Sequence, residues 1–152
     1  MLKRLVLFGI LNFAALALGG ITTGPGVTSE WYLSLQKAPW TPPGWVFGFA
    51  WTLIMICFAI YMAKLWSYEE KRKTIMVLFL LQWVLNVIWN PLFFSLHLTF
   101  VSLIVIGQLT CLMALILWFF RNYVKRSTLL ILPYVVWLII ATSLNAYIFI
   151  FN

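Results

Sequence analysis

The sequence predicts an all-α integral membrane protein, a five-transmembrane-helix bundle forming a single domain over residues 1–152. Three observations carry that prediction. Mean hydropathy is +1.03, and 64% of the residues are hydrophobic against 9% charged, far from the composition of water-soluble domains. The apolar residues gather into runs of about the 20 residues that a helix needs to cross hydrocarbon. Those runs lack the strict alternation of membrane strands, and a chain in lipid must satisfy its backbone internally, which leaves helices.

The charges orient the bundle. Lys3, Arg4, Lys64, Lys71, Arg72, Lys73, Arg121, Lys125 and Arg126 fall at one end, and Lys37 alone lies at the other. Basic residues accumulate on the cytoplasmic side, so the N-terminus is expected inside and the C-terminus outside. The net charge of +7 is thereby a topology signal; the bilayer is the expected partner and nucleic acid is not.

The first helix is expected over about Leu5 to Ile21. Lys3 and Arg4 before an apolar run, with Ala15-Leu16-Ala17, imitate a signal peptide and its cleavage site. We read the run as a span, in which Ala15 and Gly19 share a face and permit close approach to another helix. Residues 22–43 then form a long outer loop, opening with Thr23-Gly24-Pro25-Gly26 and closing with Trp40-Thr41-Pro42-Pro43. Trp31, Tyr32, Trp40, Trp45 and Trp51 crowd this loop and the start of the next helix. They form either an interfacial aromatic belt or a stiff lid over a cavity, and their density among prolines favours the lid.

The second helix is expected over about Gly44 to Trp66, with Pro43 suited to its first turn, and Glu69 to Lys73 is a solvated charged turn. The third, about Thr74 to Phe94, carries Gln82, Asn86 and Asn90 at four-residue spacing, a polar face turned inward. Such amides serve either as interhelical bonds or as ligand contacts. Pro91 is expected to kink or end this helix. His97, without Cys or carboxylate company, reads as an interfacial residue and not a metal ligand. The fourth helix, about Leu98 to Phe120, has Gln108 and Thr110 as its polar features. The fifth, about Thr128 to Phe149, is expected to be capped by Ser127, to bend at Pro133, and to turn Tyr134, Trp137, Ala141 and Asn145 to one face.

Cys57 and Cys111 lack metal or redox spacing and read as buried packing residues. Glu30, Glu69 and Glu70 all lie in loops, so no membrane carboxylate relay is present. No phosphate loop, nucleophile with a base, or carboxylate pair occurs, which argues against hydrolytic or ATP-driven chemistry. No metal and no required cofactor are expected. The candidate cavity under the first loop is assigned Trp31, Tyr32, Trp40, Trp45, Trp51, Asn86, Asn90, Tyr134, Trp137 and Asn145.

Three segments, WYLSLQKAPWTPPGWVFGFAW, LQWVLNVIWNPLFF and LPYVVWLIIATSLN, resemble in order the signature segments of the translocator protein family. Its members are also called tryptophan-rich sensory proteins or peripheral-type benzodiazepine receptors, and the resemblance covers nearly the whole chain. It implies a five-helix bundle, often a homodimer, in a bacterial cell membrane. It also implies a cavity for porphyrins such as protoporphyrin IX or haem, and in some members for sterols and benzodiazepine-type ligands. The expected function is thus a membrane receptor, sensor or carrier for porphyrins and other flat apolar ligands, and an enzyme is not favoured. The alternative is light- and oxygen-dependent porphyrin degradation, with Trp51 and Trp137 as the catalytic candidates. Two departures stand out. The usual Lys-Pro-Ser-Trp is here Lys37-Ala38-Pro39-Trp40, and the sterol pattern of a Tyr followed by a base is broken after Tyr147, where the chain ends Ile148-Phe149-Ile150-Phe151-Asn152.

Overall fold

A computed structural model describes residues 1–152 as helices and connecting turns, with no strand. The helices are α1 (Leu2–Val27), α2 (Glu30–Ser34), α3 (Gly44–Leu65), α4 (Arg72–Phe94), α5 (Thr99–Val124) and α6 (Leu132–Phe151), with 3₁₀ turns at Glu69–Lys71 and Lys125–Leu130. All but the short α2 belong to the five segments long and apolar enough to cross a membrane. The chain is a multi-pass membrane protein.

The five long helices close into a ring. α1 packs between α3 and α4, α5 between α4 and α6, and α6 returns to α3. Toward the basic end the interior is filled: Phe58 stacks on Tyr61 and Phe79 and meets Tyr134 edge-on, and Phe58, Tyr61, Met113, Phe120 and Leu138 are wholly buried. Lipid supplies no hydrophobic force between helices, so close packing and buried polar bonds hold the ring. Asn12 Nδ2 donates to the Met55 carbonyl (3.3 Å), and Trp83 Nε1 donates to the Leu11 carbonyl (2.9 Å), pinning α1 to α3 and α4.

The structure corrects several local expectations. Residues 22–43 are not one loop, because α1 continues through Thr23-Gly24-Pro25-Gly26 to Val27 and residues 30–34 form α2. Pro25 stands in the last turn of α1, where a missing N–H costs one bond, and the hydroxyls of Thr28 and Ser29 donate to the Pro25 and Gly26 carbonyls. The glycines here are packing residues. A Cβ on Gly26 would stand 2.5 Å from Phe94 Cβ, and one on Gly19 would stand 2.6 Å from Asn90 Nδ2. Phe8, Asn12, Ala15, Gly19 and Gly26 form the buried stripe of α1.

Pro91 likewise lies inside α4, which ends beyond it at Phe94. Pro43 is the residue preceding α3, and its carbonyl accepts from Val46 N. Ser127 does not cap α6. It sits in the 3₁₀ turn, and α6 starts at Leu132 with Pro133 in its first turn, where the absent N–H would have had no partner. The turn after α3 is a 3₁₀ helix whose Glu69 pairs with Arg72, the first residue of α4, at 2.8 Å. Cys57 is half-buried and Cys111 exposed on the lipid-facing surface.

Candidate functional site at the lid end

Five helices in a ring leave α4 and α6 facing each other across the interior, and side chains must span the gap. On α4 the inward stripe is Gln82, Asn86, Trp89 and Phe93, a spacing of four, three and four that follows the helical repeat. On α6 it is Tyr134, Trp137, Ala141, Leu144, Asn145 and Ile148. Deep in the bundle Tyr134 donates its O–H to Gln82 Oε1 (3.1 Å). Higher up, Trp89 Nε1 donates to Asn145 Oδ1 (3.0 Å), while Asn145 Nδ2 donates to the Thr99 carbonyl of α5 (3.1 Å) and Ser102 Oγ lies 3.2 Å from Asn145 Oδ1.

Above this polar girder lies a cavity of about 50 Å³. Its walls are Trp89, Phe93 and Phe94 of α4, Phe47 of α3, and Ala141, Leu144, Asn145 and Ile148 of α6. Tyr32, Lys37 and Thr41 close it from above. The lining is thus mostly apolar, with one ammonium, one amide and two hydroxyls as polar groups, a composition suited to small-molecule binding.

The cover is built locally. Ser29 caps α2 by accepting from Tyr32 N (3.2 Å), and Glu30 occupies its first turn, where a carboxylate complements the helix end. Trp31 packs edge-on against Phe93 and stacks at 4.0 Å on His97, an exposed residue held at a φ of 55° in the α4–α5 turn. Tyr32 leans on Phe93 and Phe94, and burial raises its phenol above the ordinary value. Lys37 Nζ donates to the Tyr32 carbonyl (2.7 Å) and stands 4.6 Å from the centre of the Tyr32 ring.

Few polar bonds join this cover to the bundle. Asn152 Oδ1 accepts from Gln36 N (2.8 Å) and its Nδ2 donates to the Gln36 carbonyl (3.3 Å), while Trp40 Nε1 donates to Ser143 Oγ (3.1 Å).

Of the residues assigned to the cavity from sequence, Tyr32 and Asn145 line it. Trp31 backs its Phe93 wall, and Trp40 clasps the outer side of α6 against Tyr147. Trp45 is 73% exposed and pairs with Phe49 on the lipid-facing surface, the position of a membrane-interface residue. Trp51 and Tyr134 pack edge-on at 5.9 Å, and Trp137 meets Phe47 edge-on at 5.3 Å, behind the wall. Trp137 Nε1 is buried without an acceptor. Asn86 is buried in α4, its carbonyl accepting from Asn90 Nδ2 (2.9 Å).

Asn90 turns away toward α1, where Thr23 Oγ1 donates to its Oδ1 (2.7 Å). Two steps of about 40° each carry Asn90 some 80° from Gln82, enough to change its neighbour. Trp89, Phe93, Phe94 and Phe47 were missed as wall residues. The signal for the first two was present in the heptad-like spacing from Gln82, which the four-residue spacing of the amides obscured.

Residues 7–151 match the model of the TspO/MBR family. The chain is 31% identical to the tryptophan-rich protein TspO of Chlorobaculum tepidum, over 94% of both chains. It is 32% identical to the protein of that name from Archaeoglobus fulgidus, again over 94% of both. The similarity extends to the ovine (Ovis aries) translocator protein, at 30% identity over 76% of this chain and 71% of the relative. The chain belongs to the TspO/MBR family.

Proposed function

We propose that this member of the TspO/MBR family is a membrane receptor or sensor, or a carrier, for a flat apolar ligand of the porphyrin class, protoporphyrin IX or haem, held in the lid-end cavity. The observation that carries the proposal is the roofed apolar chamber between α4 and α6 with Lys37 at its rim. Aromatic walls suit stacking on a large ring, and an ammonium at the rim suits an acidic substituent on the ring's edge. A chamber of about 50 Å³ is well below the several hundred Å³ of typical ligand pockets. In this proposal the cavity is in its closed form, and binding requires α2 and residues 35–43 to lift.

Two relatives bear names in keeping with this reading: a tryptophan-rich sensory protein of Cereibacter sphaeroides, 29% identical, and the ovine translocator protein. Sterols and benzodiazepine-type ligands, being flat and apolar, belong to the same proposal. The basic end is proposed to face the cytoplasm of a bacterial cell. A homodimer would join through the lipid-facing surface and leave each cavity within one chain.

A second reading, light- and oxygen-dependent breakdown of the porphyrin, rests on Trp137, whose buried indole N–H has no acceptor and whose ring touches the Phe47 wall. There the pigment absorbs light and the protein supplies confinement and an oxidisable ring.

The test is a titration of the purified protein with protoporphyrin IX, haem and cholesterol in the dark, followed by tryptophan quenching. Saturable quenching by a porphyrin at one site per chain is expected. Linear, unsaturable quenching equal to that of a free tryptophan derivative would refute the receptor reading.

A further inference from the structure

We propose that the basic end of the bundle holds a second site, for a phosphate-type oxyanion, centred on Lys64 and Ser127. A cavity of about 210 Å³, larger than the one under the lid, lies between the last turn of α3 and the Lys125–Leu130 turn. Ala63, Lys64, Ser67, Tyr68, Val124 and Ser127 form most of its wall, and no carboxylate lines it.

Lys64 is half-buried there, and its Nζ makes one hydrogen bond, to Ser127 Oγ at 2.8 Å. An ammonium has three donors, so two of those on Lys64 have no protein acceptor and no carboxylate stands beside the charge. The sole ion pair in the molecule is Arg72–Glu69, on the turn after α3. The Ser127 hydroxyl accepts from Lys64 and donates to nothing, so its O–H is free for a second acceptor.

The neighbouring hydroxyls are already committed. Tyr68 donates to the Tyr123 carbonyl and Ser67 to the Lys64 carbonyl, which leaves Lys64 and Ser127 as the side-chain donors facing the cavity, with Met1 completing its wall. The chain reaches Ser127 only after passing through a φ of 46° at Lys125, a left-handed conformation uncommon for a side-chain-bearing residue. Lys125 and Arg126 adjoin Ser127 in sequence, and the same end carries nine of the ten basic residues against Glu69 and Glu70. An oxyanion accepting from Lys64 Nζ and the Ser127 hydroxyl would supply the missing counter-charge by charge-assisted hydrogen bonds. Either a phospholipid headgroup or a free phosphate presents this chemistry.

Lys64 also balances the carbonyl end of α3. A lysine with that structural role alone would alter stability without altering anion affinity. The experiment uses the full chain in nanodiscs of phosphatidylcholine. One arm titrates inorganic phosphate by calorimetry; the other replaces part of the lipid with phosphatidylglycerol and counts retained lipid by native mass spectrometry.

Saturable binding of one anion per chain is expected, in the first arm for a free phosphate and in the second for a headgroup. Lys64→Met and Ser127→Ala should each weaken it roughly tenfold, the effect of losing one hydrogen bond to a charged group. Lys73→Gln, at the same end but outside the cavity, should leave it within about twofold. If Lys64→Met fails to fold, Ser127→Ala and the charge-retaining Lys64→Arg decide, the former weakening binding and the latter keeping it. No saturable binding of either probe, or equal losses in the Lys64 or Ser127 variant and Lys73→Gln, would overturn the proposal.

Discussion

The indole of Trp89 donates to the side-chain oxygen of Asn145 across 3.0 Å, and this bond ties α4 to α6 directly beneath the lid-end cavity. Both residues line the cavity while each is spent on the other, so the pair acts first as a strut that fixes the width of the chamber. Asn145→Leu would leave the half-buried Trp89 N–H without its protein acceptor. A loss of about 1–3 kcal/mol is expected. Trp89→Phe added to Asn145→Leu should cost less than the sum of the single changes, as read by a double-mutant cycle of unfolding in detergent. Additive losses would show that the bond carries no coupling.

Close approach of α1 to α4 depends on absent side chains at two glycines. Gly26→Ala places a methyl 2.5 Å from Phe94 Cβ, backed by the Phe94 ring at 2.6 Å, so the helices must part. A destabilisation of about 1–3 kcal/mol is expected. Gly20→Ala, where a Cβ meets nothing within 4 Å, should be neutral or slightly stabilising, because Ala favours the helix by up to about 1 kcal/mol. Equal thermal stability of the two variants would refute this view of the interface.

Tyr32 makes the cover sensitive to alkaline pH. Burial raises its phenol above 10.0, so the folded state holds a proton that the unfolded state gives up near 10. Its contribution is fully present below 10 and is lost as pH rises through the higher folded-state value. Tyr32→Phe should remove one late phenolate from the ultraviolet titration and flatten the alkaline loss of stability. An unchanged late phenolate in that variant would assign the shift to another group.

The receptor reading and the photochemical reading divide on Trp137. Its ring stands behind Phe47, and Trp51 stands behind Tyr134. With the indoles outside the lining, Trp51→Phe and Trp137→Phe should bind protoporphyrin and bleach it under light at rates within about twofold of the parent. Slower bleaching with binding retained would establish the photochemical role.

The ring of helices was legible because hydropathy and length act on each segment alone. The inward faces of α4 and α6 were legible from Gln82, Asn86, Tyr134 and Trp137, since helical spacing alone places them. What sequence left out depends on neighbours. Pro25 and Gly26 carry turn chemistry in isolation, yet Phe94 of α4 packs where a side chain at position 26 would stand, and α1 runs through them as a helix. Trp45 looks like its fellow tryptophans in the sequence, and only the direction of α3 turns it to lipid. Asn90 shows how a 40° drift per step, small once, redirects an amide after two.

The proposed ligand occupies the space between α4, α6 and the cover. Ala141 lines that space, and Ala141→Leu would fill it without adding a polar group. The most direct measurement is protoporphyrin IX affinity, by tryptophan quenching in the dark, of the parent, Ala141→Leu and Trp45→Ala, each shown to retain its helicity and melting temperature. A loss of about tenfold or more, equivalent to some 1.4 kcal/mol, is expected for Ala141→Leu, and a change within about twofold for the lipid-facing Trp45→Ala. Unchanged affinity in Ala141→Leu, with the loss appearing in Trp45→Ala, would place the ligand on the outer surface and rule out the cavity as its site.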